Sequence, residues 1–202
     1  MRFSQTKFQY LLDLIKCHYR YDGKYTVMQA FPATGLVYIT DSSPHFMSGH
    51  IRMKGKDQGQ YPYHYLEMIE KIFGYEANTI EVCSHNVKDC FTVDIDPLTN
   101  PSLVDDAQYL SKVEANQFNR WRADPPYNED TAMKMYGTDL PNTAKLLQAG
   151  NRVCKPGSLL LLLLGPQNYQ ICPKSLIRIG WICLTVIPNN ELRALHIFYK
   201  YE

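Results

Sequence analysis

The 202-residue sequence has no apolar run long enough to cross a membrane, no secretory signal and no strong net charge. Its longest aliphatic run, Leu159 to Leu164, is far shorter than the roughly 20 residues of a membrane helix, and it favours a strand covered on both faces. The formal net charge of +1 does not by itself indicate nucleic acid, which would need basic residues gathered on one face. We therefore expect a cytoplasmic protein with no membrane contact, long enough for one α/β domain.

Metal and disulfide chemistry have little support. The spacing Cys83-x-His85-x4-Cys90 fits none of the common zinc patterns, and no fourth ligand is evident. Cysteines scattered through a chain without a secretory signal indicate reduced thiols. We predict no metal site and no disulfide framework among the six cysteines, Cys17, Cys83, Cys90, Cys154, Cys172 and Cys183.

The most informative stretch is Asp124-Pro125-Pro126-Tyr127. Its two prolines fix φ, remove two backbone donors and push the residue before each toward extended geometry, so the loop is stiff and its carbonyls are free. One reaction that such a loop could support is the methylation of an exocyclic amino group on a nucleobase. That nitrogen is a poor nucleophile, because its lone pair is delocalised into the ring. Asp124 and the Pro125 carbonyl could accept its two hydrogens while Tyr127 stacks on the flipped base. The alternative for this tetrapeptide is a rigid turn before a helix.

Asp-Pro-Pro-Tyr resembles the catalytic motif of the S-adenosylmethionine-dependent amino-methyltransferases, especially those that methylate adenine in DNA. The resemblance covers roughly residues 60–202. It implies a Rossmann-like α/β fold with a mostly parallel central sheet and a C-terminal antiparallel hairpin. It also implies S-adenosyl-L-methionine as cofactor, adenine N6 in DNA as target, and a catalytic set of Asp124, Pro125, Pro126 and Tyr127.

The resemblance also suggests where the cofactor is held. Tyr61-Pro62-Tyr63 looks like the family's N-terminal cofactor-contacting segment, although core packing explains it equally well. Thr79 to Ser84 and Cys90 to Pro97 predict the first two strands, and a carboxylate at the carboxyl end of such a strand can hold ribose hydroxyls. Asp94 is the better candidate and Asp96 the second, whereas Asp106 resembles the residue that meets the adenine ring. The full predicted cofactor set is Tyr61, Pro62, Glu81, Ser84, Asp94 and Asp106.

The turn after the first strand lacks glycine. Residues 81–88 contain none, although the family has a glycine-rich turn here that lets the cofactor approach the backbone. Only residues 85–89 separate the two predicted strands, where a helix would normally cross over. Either this turn binds the cofactor differently, or the chain is a non-catalytic methyltransferase-like subunit that binds nucleic acid or a partner.

Residues 1–60 predict an N-terminal extension ahead of a catalytic domain at 61–202. The extension combines a helix over residues 3–20 with short strands at Tyr25–Val27 and Leu36–Thr40. A basic cluster then lies in a segment rich in glycine and proline, which is either a solvated loop or an arm that contacts phosphates. This cluster comprises Arg52, Lys54 and Lys56, beside His45 and His50.

The rest of the chain alternates helix and strand. Residues 130–151 have a helical pattern, interrupted by a segment, 136–141, that is either a lid over the site or a plain turn. Strands are predicted at 181–188 and 193–200, joined by a hairpin, with His196 in a structural role. DNA is a more plausible partner than RNA, and recognition of its sequence falls to the N-terminal residues or to a partner subunit. RNA and a protein amide remain alternative substrates.

Overall fold

The computed structural model describes residues 20–21, 25–29, 34–40, 47–55, 61–83, 87–165, 173–187 and 191–201, and for those before residue 51 only the backbone. The helices are α1 (Tyr65–Phe73), α2 (Glu129–Tyr136) and α3 (Thr143–Val153), with a short 3-10 helix at Pro97–Thr99. The strands are β1 (Arg20–Tyr21), β2 (Tyr25–Gln29), β3 (Thr34–Thr40), β4 (Met47–Lys54), β5 (Thr79–Val82), β6 (Phe91–Asp94), β7 (Leu103–Val104), β8 (Phe118–Ala123), β9 (Cys154–Leu164), β10 (Leu176–Ile187) and β11 (Glu191–Lys200).

The described strands form one sheet in the order β1-β2-β3-β4-β10-β11-β9-β8-β5-β6-β7. From β4 to β7 all strands run in one direction except β11, which is antiparallel to both of its neighbours, β10 and β9. The predicted fold class is therefore confirmed, including the C-terminal antiparallel hairpin. The carboxyl ends of the parallel strands and the amino end of β11 meet at one edge, which we call the carboxyl edge.

Strand β9 shows why both faces of the sheet are covered. Leu159, Leu161 and Leu163 belong to the apolar core beneath α1, and the alternate leucines belong to the core beneath α3. Successive side chains of a strand point to opposite faces, so the uninterrupted leucine run fills two cores. The prediction of a strand covered on both faces is confirmed.

Local sequence sets the ends of α2 and α3. Asn128 and Asn142 precede the two helices, and each side chain accepts a hydrogen bond from a backbone N–H of the first turn. Gly137 ends α2 with φ of 62°, a left-handed conformation that glycine adopts without steric cost. The predicted helical pattern over residues 130–151, interrupted near Gly137 and Pro141, is confirmed.

The predicted loop that carries the basic cluster is wrong for residues 47–54, because these form β4. This strand pairs in parallel with β10 from Met47 to Lys54 and antiparallel with β3. Its residues alternate between exposed Arg52 and Lys54 and buried Ile51 and Met53, a period of two that the glycines around the segment obscured. Strands β2 and β3 confirm the two predicted short strands. The predicted helix over residues 3–20 lies outside the described residues apart from Arg20, which belongs to β1, and the boundary at residue 60 stays a prediction.

Two connections depart from a regular doubly wound sheet. Residues 83–90 join the parallel strands β5 and β6, fewer than the dozen or more that such a crossover usually takes. The Lys155-Pro156-Gly157 segment lies within β9 as an irregularity in its pairing with β8, and Gly157 has φ of 84°. Among the helices of the described residues, none combines the length and apolarity needed to cross a membrane.

Candidate active site

The carboxyl edge brings together residues that are far apart in the sequence. Cys83 directly follows β5, β6 ends at Asp94, and Asp124 directly follows β8, while β11 begins at Glu191. In open α/β sheets, ligands bind in the crevice outside the carboxyl ends of the strands. We therefore expect the catalytic and cofactor sites at this edge.

A cavity of about 240 Å³ opens at this edge. Asp94 and Asp106 contribute carboxylates to its wall, and Pro126 contributes an apolar face from the Asp-Pro-Pro-Tyr loop. Its full lining is Cys83, Asp94, Ile95, Asp106, Ala107, Gln108, Pro126, Tyr136, Thr138, Asp139 and Pro141. Three of the predicted site residues thus line one cavity, and so does the segment predicted as a lid or a plain turn.

Short-range hydrogen bonds fix the two wall carboxylates. Asp94 Oδ1 accepts from the backbone N–H of Asp96 at 3.0 Å, and its residue is only 3% exposed. Asp106 Oδ1 accepts from the backbone N–H of Gln108 at 2.8 Å, which closes a turn after β7. Both Asp106 oxygens also lie 3.4 Å from Gln108 Nε2.

Cys83 lies in the turn after β5, where the resembling family has glycines and this chain has none. Its φ is 55°, in the left-handed region that glycine adopts freely and most other residues avoid. The chain thus makes a left-handed turn directly after β5 without a glycine, and Cys83 lines the cavity there. Burial raises the pKa of the Cys83 thiol well above its ordinary value, so the side chain is an uncharged wall.

Asp124 and Tyr127 lie together with Arg193 of β11. The Tyr127 hydroxyl donates a hydrogen bond to Asp124 Oδ1, and Arg193 Nη1 lies 3.8 Å from Asp124 Oδ2. The guanidinium carbon of Arg193 lies 4.8 Å from the centre of the Tyr127 ring. Both oxygens of Asp124 and one face of Tyr127 are therefore engaged by the protein's own side chains.

The surroundings of Asp124 shift its ionisation. Burial raises the pKa of Asp124 from 3.8 to about 6, while Arg193 and the Tyr127 hydrogen bond oppose the shift and Glu191 adds to it. The Asp124 side chain is only 12% exposed. A carboxylate with a pKa near 6 is ionised at neutral pH and can accept N–H hydrogens there.

Tyr61 and Glu81, which are predicted to contact the cofactor, are not among the residues that line this cavity. The Tyr61 hydroxyl donates to Glu81 Oε1, and Arg122 Nε lies 2.6 Å from Glu81 Oε2. Burial raises the pKa of Glu81 to about 7, whereas the Glu81 carboxylate raises the pKa of Arg122. Tyr61 also stacks on Tyr65 of α1 with ring centres 4.4 Å apart. This buried cluster ties α1 to β5 and β8, and it corresponds to the core-packing alternative.

The remaining predicted residues differ in position. Pro62 and Pro125 are buried and are not among the residues that line the cavity, and Ser84 lies outside the described residues. Arg193 is not among the predicted site residues, because its relation to Asp124 depends on β11 lying beside β9 with its amino end at the carboxyl edge. Such a neighbour could be found only after the order of the strands was known. Among the described residues, no group of three or more His, Cys, Asp or Glu side chains could hold a metal ion.

The strand order, with an antiparallel β11 between β9 and β10, defines a Rossmann-like methyltransferase fold. No protein-family model matches the chain, and no curated protein matches it. Among solved structures, TrmN from Thermus thermophilus is 12% identical with a TM-score of 0.44, over 62% of this chain and 44% of TrmN, so this chain spans less than half of it.

Two other similar structures cover more of their own length. HI0767 from Haemophilus influenzae, whose methylase assignment is provisional, is 9% identical with a TM-score of 0.42, over 68% of this chain and 88% of its own. The antibiotic-resistance methyltransferase Kmr is 15% identical with a TM-score of 0.35, over 73% of this chain and 98% of its own. These similarities are too low to assign an activity.

Proposed function

We propose that this protein is an S-adenosylmethionine-dependent methyltransferase that acts on an exocyclic amino group of a nucleobase, with adenine N6 in DNA as the first choice. One observation carries the proposal. The Asp-Pro-Pro-Tyr loop contributes Pro126 to a cavity that also contains Asp94 and Asp106, and Asp124 and Tyr127 of the same loop are hydrogen-bonded to each other. The methyl donor in the cavity and the Asp124 carboxylate, which accepts amino hydrogens, would thus be positioned by one rigid loop.

The cavity fits the cofactor by the chemistry of its donor set. A ribose offers hydroxyl donors and adenine offers an amino group, and both need acceptors such as the carboxylates of Asp94 and Asp106. The left-handed turn at Cys83 brings the backbone to the cavity wall without a glycine. When bound, S-adenosylmethionine supplies a methyl group on a sulfonium sulfur, which keeps the bonding electron pair and becomes a neutral thioether.

Asp124 would hold the amino nitrogen in place and accept its hydrogens. Drawing those hydrogens out of the ring plane localises the nitrogen lone pair, so that it can form the new N–C bond. The proton that the nitrogen loses would pass through Asp124 to solvent, as expected of a carboxyl with a pKa of about 6. The Pro125 carbonyl would accept the second hydrogen, and Tyr127 would stack on the base.

The carboxyl edge also suits nucleic acid. Lys54 ends β4 next to Ile187 of β10 and lies with its ammonium 5.5 Å from the centre of the Tyr63 ring. Tyr63 is 44% exposed, and Arg52 is exposed on the same strand as Lys54. Exposed basic and aromatic side chains on one edge are the features used to hold a strand and stack its bases.

The decisive test is the transfer of a labelled methyl group from S-adenosylmethionine to separate pools of DNA, RNA and protein. We expect incorporation into DNA, with N6-methyladenine recovered after digestion. Asp124→Asn should reduce the rate by about 10²–10³-fold, as for the loss of one preorganised polar group at a reacting centre. Asp130→Asn, the same change at an exposed position of α2, serves as the matched control and should keep the wild-type rate.

Other outcomes lead to different conclusions. Incorporation only into RNA or protein would refute the DNA target and keep the enzyme class. No incorporation into any pool would favour a non-catalytic methyltransferase-like subunit, the second candidate. The short connection over residues 83–90 favours that candidate, because it has fewer residues than the dozen or more that a crossover between parallel strands usually takes.

A further inference from the structure

Arg193 occupies an unusual place for a residue of a C-terminal hairpin. It is the third residue of β11, and the side chain is only 15% exposed. Its guanidinium lies over the Tyr127 ring, with Nη1 3.8 Å from Asp124 Oδ2. Neither Asp124 nor Tyr127 needs this arginine in order to be held, because the Tyr127 hydroxyl already donates to Asp124.

A guanidinium and an aminated base make the same kinds of contact. Both are flat, both carry N–H donors at the rim, and both stack on aromatic rings. A nucleobase methylated by this site would rest on Tyr127 and direct its amino hydrogens at Asp124. Arg193 makes both contacts in the described structure, so base and arginine compete for one place.

We propose, on the basis of the function inferred above, that Arg193 is a displaceable cap that occupies the place of the target base until a flat, amino-bearing base displaces it. The cap keeps Tyr127 covered and Asp124 paired when no substrate is bound. The incoming base has to outcompete both contacts, which disfavours ligands that can stack but cannot donate to Asp124. Arg193 is thus a positioning and specificity residue.

Glu191 provides the place to which the cap can retreat. It lies two residues before Arg193 on the same face of β11. Glu191 Oε1 accepts from Arg193 Nε at 3.2 Å, and Oε2 accepts from Nη2 at 3.2 Å. The Glu191 side chain is 45% exposed. A guanidinium that leaves Tyr127 therefore keeps a bidentate partner nearer to solvent, so its displacement leaves no charge unpaired.

Removing the cap should change binding and ionisation together. The charged or titratable groups that shift the pKa of Asp124 are Arg193, Tyr127 and Glu191, and Arg193 is the one that lowers it most. Arg193→Ala should therefore bind the base more tightly and move the acid limb of the pH profile upward. An arginine that instead held the substrate would give weaker binding when removed.

The experiment measures the Kd of a fluorescently labelled, adenine-containing single DNA strand, and the KM for the same strand, at pH 8, where Asp124 is ionised. We expect Arg193→Ala to lower both constants about three- to tenfold, the size of a lost cation–aromatic competitor. Glu191→Gln should raise both, because Arg193 then has only Asp124 and Tyr127 to bind. Opposite shifts from two neighbours on one strand would not arise from a general structural role.

Arg178→Ala is the matched control. It removes the same charge from an exposed position at the amino end of β10, remote from the carboxyl edge, so any general loss of affinity for a polyanion appears there too. A Kd for Arg193→Ala that equals or exceeds the control value would overturn the cap. Because the Kd needs no turnover, it tests the cap even if no variant transfers a methyl group, an outcome that would refute only the proposed function.

Discussion

At the scale of single residues, the surroundings of Asp124 conflict with the role proposed for it. The carboxylate must be ionised to accept amino hydrogens, yet its burial favours the neutral form. Arg193 and Tyr127 offset part of this effect, and the pKa still rises from 3.8 to about 6. The site therefore has a carboxyl group that is ionised at neutral pH and can still take up a proton.

This ionisation predicts the pH dependence of methyl transfer. We expect kcat/KM to fall tenfold per pH unit below about 6, because only the ionised carboxylate accepts N–H hydrogens. The folded-state pKa lies above the unfolded value, so Asp124 contributes less stability as pH rises through this range. A profile of kcat/KM from pH 4.5 to pH 9 checks the prediction. An acid limb close to 4, the ordinary value of aspartate, would show that Asp124 is not the group that titrates.

Some residues of the candidate site could be predicted from the sequence, and others could not. Asp94 could be selected from local pattern because it ends a predicted strand, whereas the Asp-Pro-Pro-Tyr motif and Asp106 are indicated by the family resemblance. The contact between Glu81 and Arg122 could not be predicted, because the register between β5 and β8 sets it. The family resemblance assigns Tyr61 to the cofactor, and only the structure shows that its hydroxyl donates to Glu81 in this buried cluster.

At the scale of elements, α3 shows how closely a helix can approach the sheet. Gly150 lies where α3 crosses β8, and a Cβ at this position would be 2.9 Å from two ring atoms of Trp121 and 3.1 Å from Leu160 Cδ2. Trp121 is fully buried, so its ring cannot move aside easily. Gly150 thus permits a close contact between α3 and β8, and any side chain at this position would push the two elements apart.

We predict that Gly150→Ala destabilises the protein. Alanine favours helix by about 1 kcal/mol over glycine, but overpacking a well-filled core costs about 1–3 kcal/mol. We expect a net loss of about 1 kcal/mol and a Tm lower by about 2–4 °C, measured by thermal unfolding. Gln148→Ala, at an exposed position of the same helix, should change stability by less than about 0.5 kcal/mol. A higher Tm for Gly150→Ala would show that α3 does not pack this closely.

Element types were easier to predict than their partners. The leucine run of β9 and the asparagine-initiated helices α2 and α3 have clear local signals. Strand β4 had none, because glycines and charged residues dilute its alternation, and it is recognisable only from its eight-residue register with β10. Pairing with a strand that is distant in the sequence therefore determines that this segment is a strand.

At the scale of the whole molecule, the sheet extends a methyltransferase-like core on one side. Strands β1 to β4 continue the sheet beyond β10, and β4 runs parallel to the strands of the core. Lys54 thereby reaches the same edge as Asp94 and Asp124. The overall α/β class and the C-terminal hairpin followed from the sequence, whereas this extension depends on long-range pairing that local pattern does not encode.

The central claim is that this edge binds S-adenosylmethionine although its first turn has no glycine. A calorimetric titration of the cofactor tests it most directly. We expect saturable binding by the wild-type chain, and an affinity about ten- to a hundredfold lower for Asp94→Asn, because a charge-assisted hydrogen bond contributes about 1.5–3 kcal/mol. Asp89→Asn, at an exposed position before β6, should bind like wild type. Absence of both heat and a thermal shift with millimolar cofactor and wild-type protein would contradict the claim.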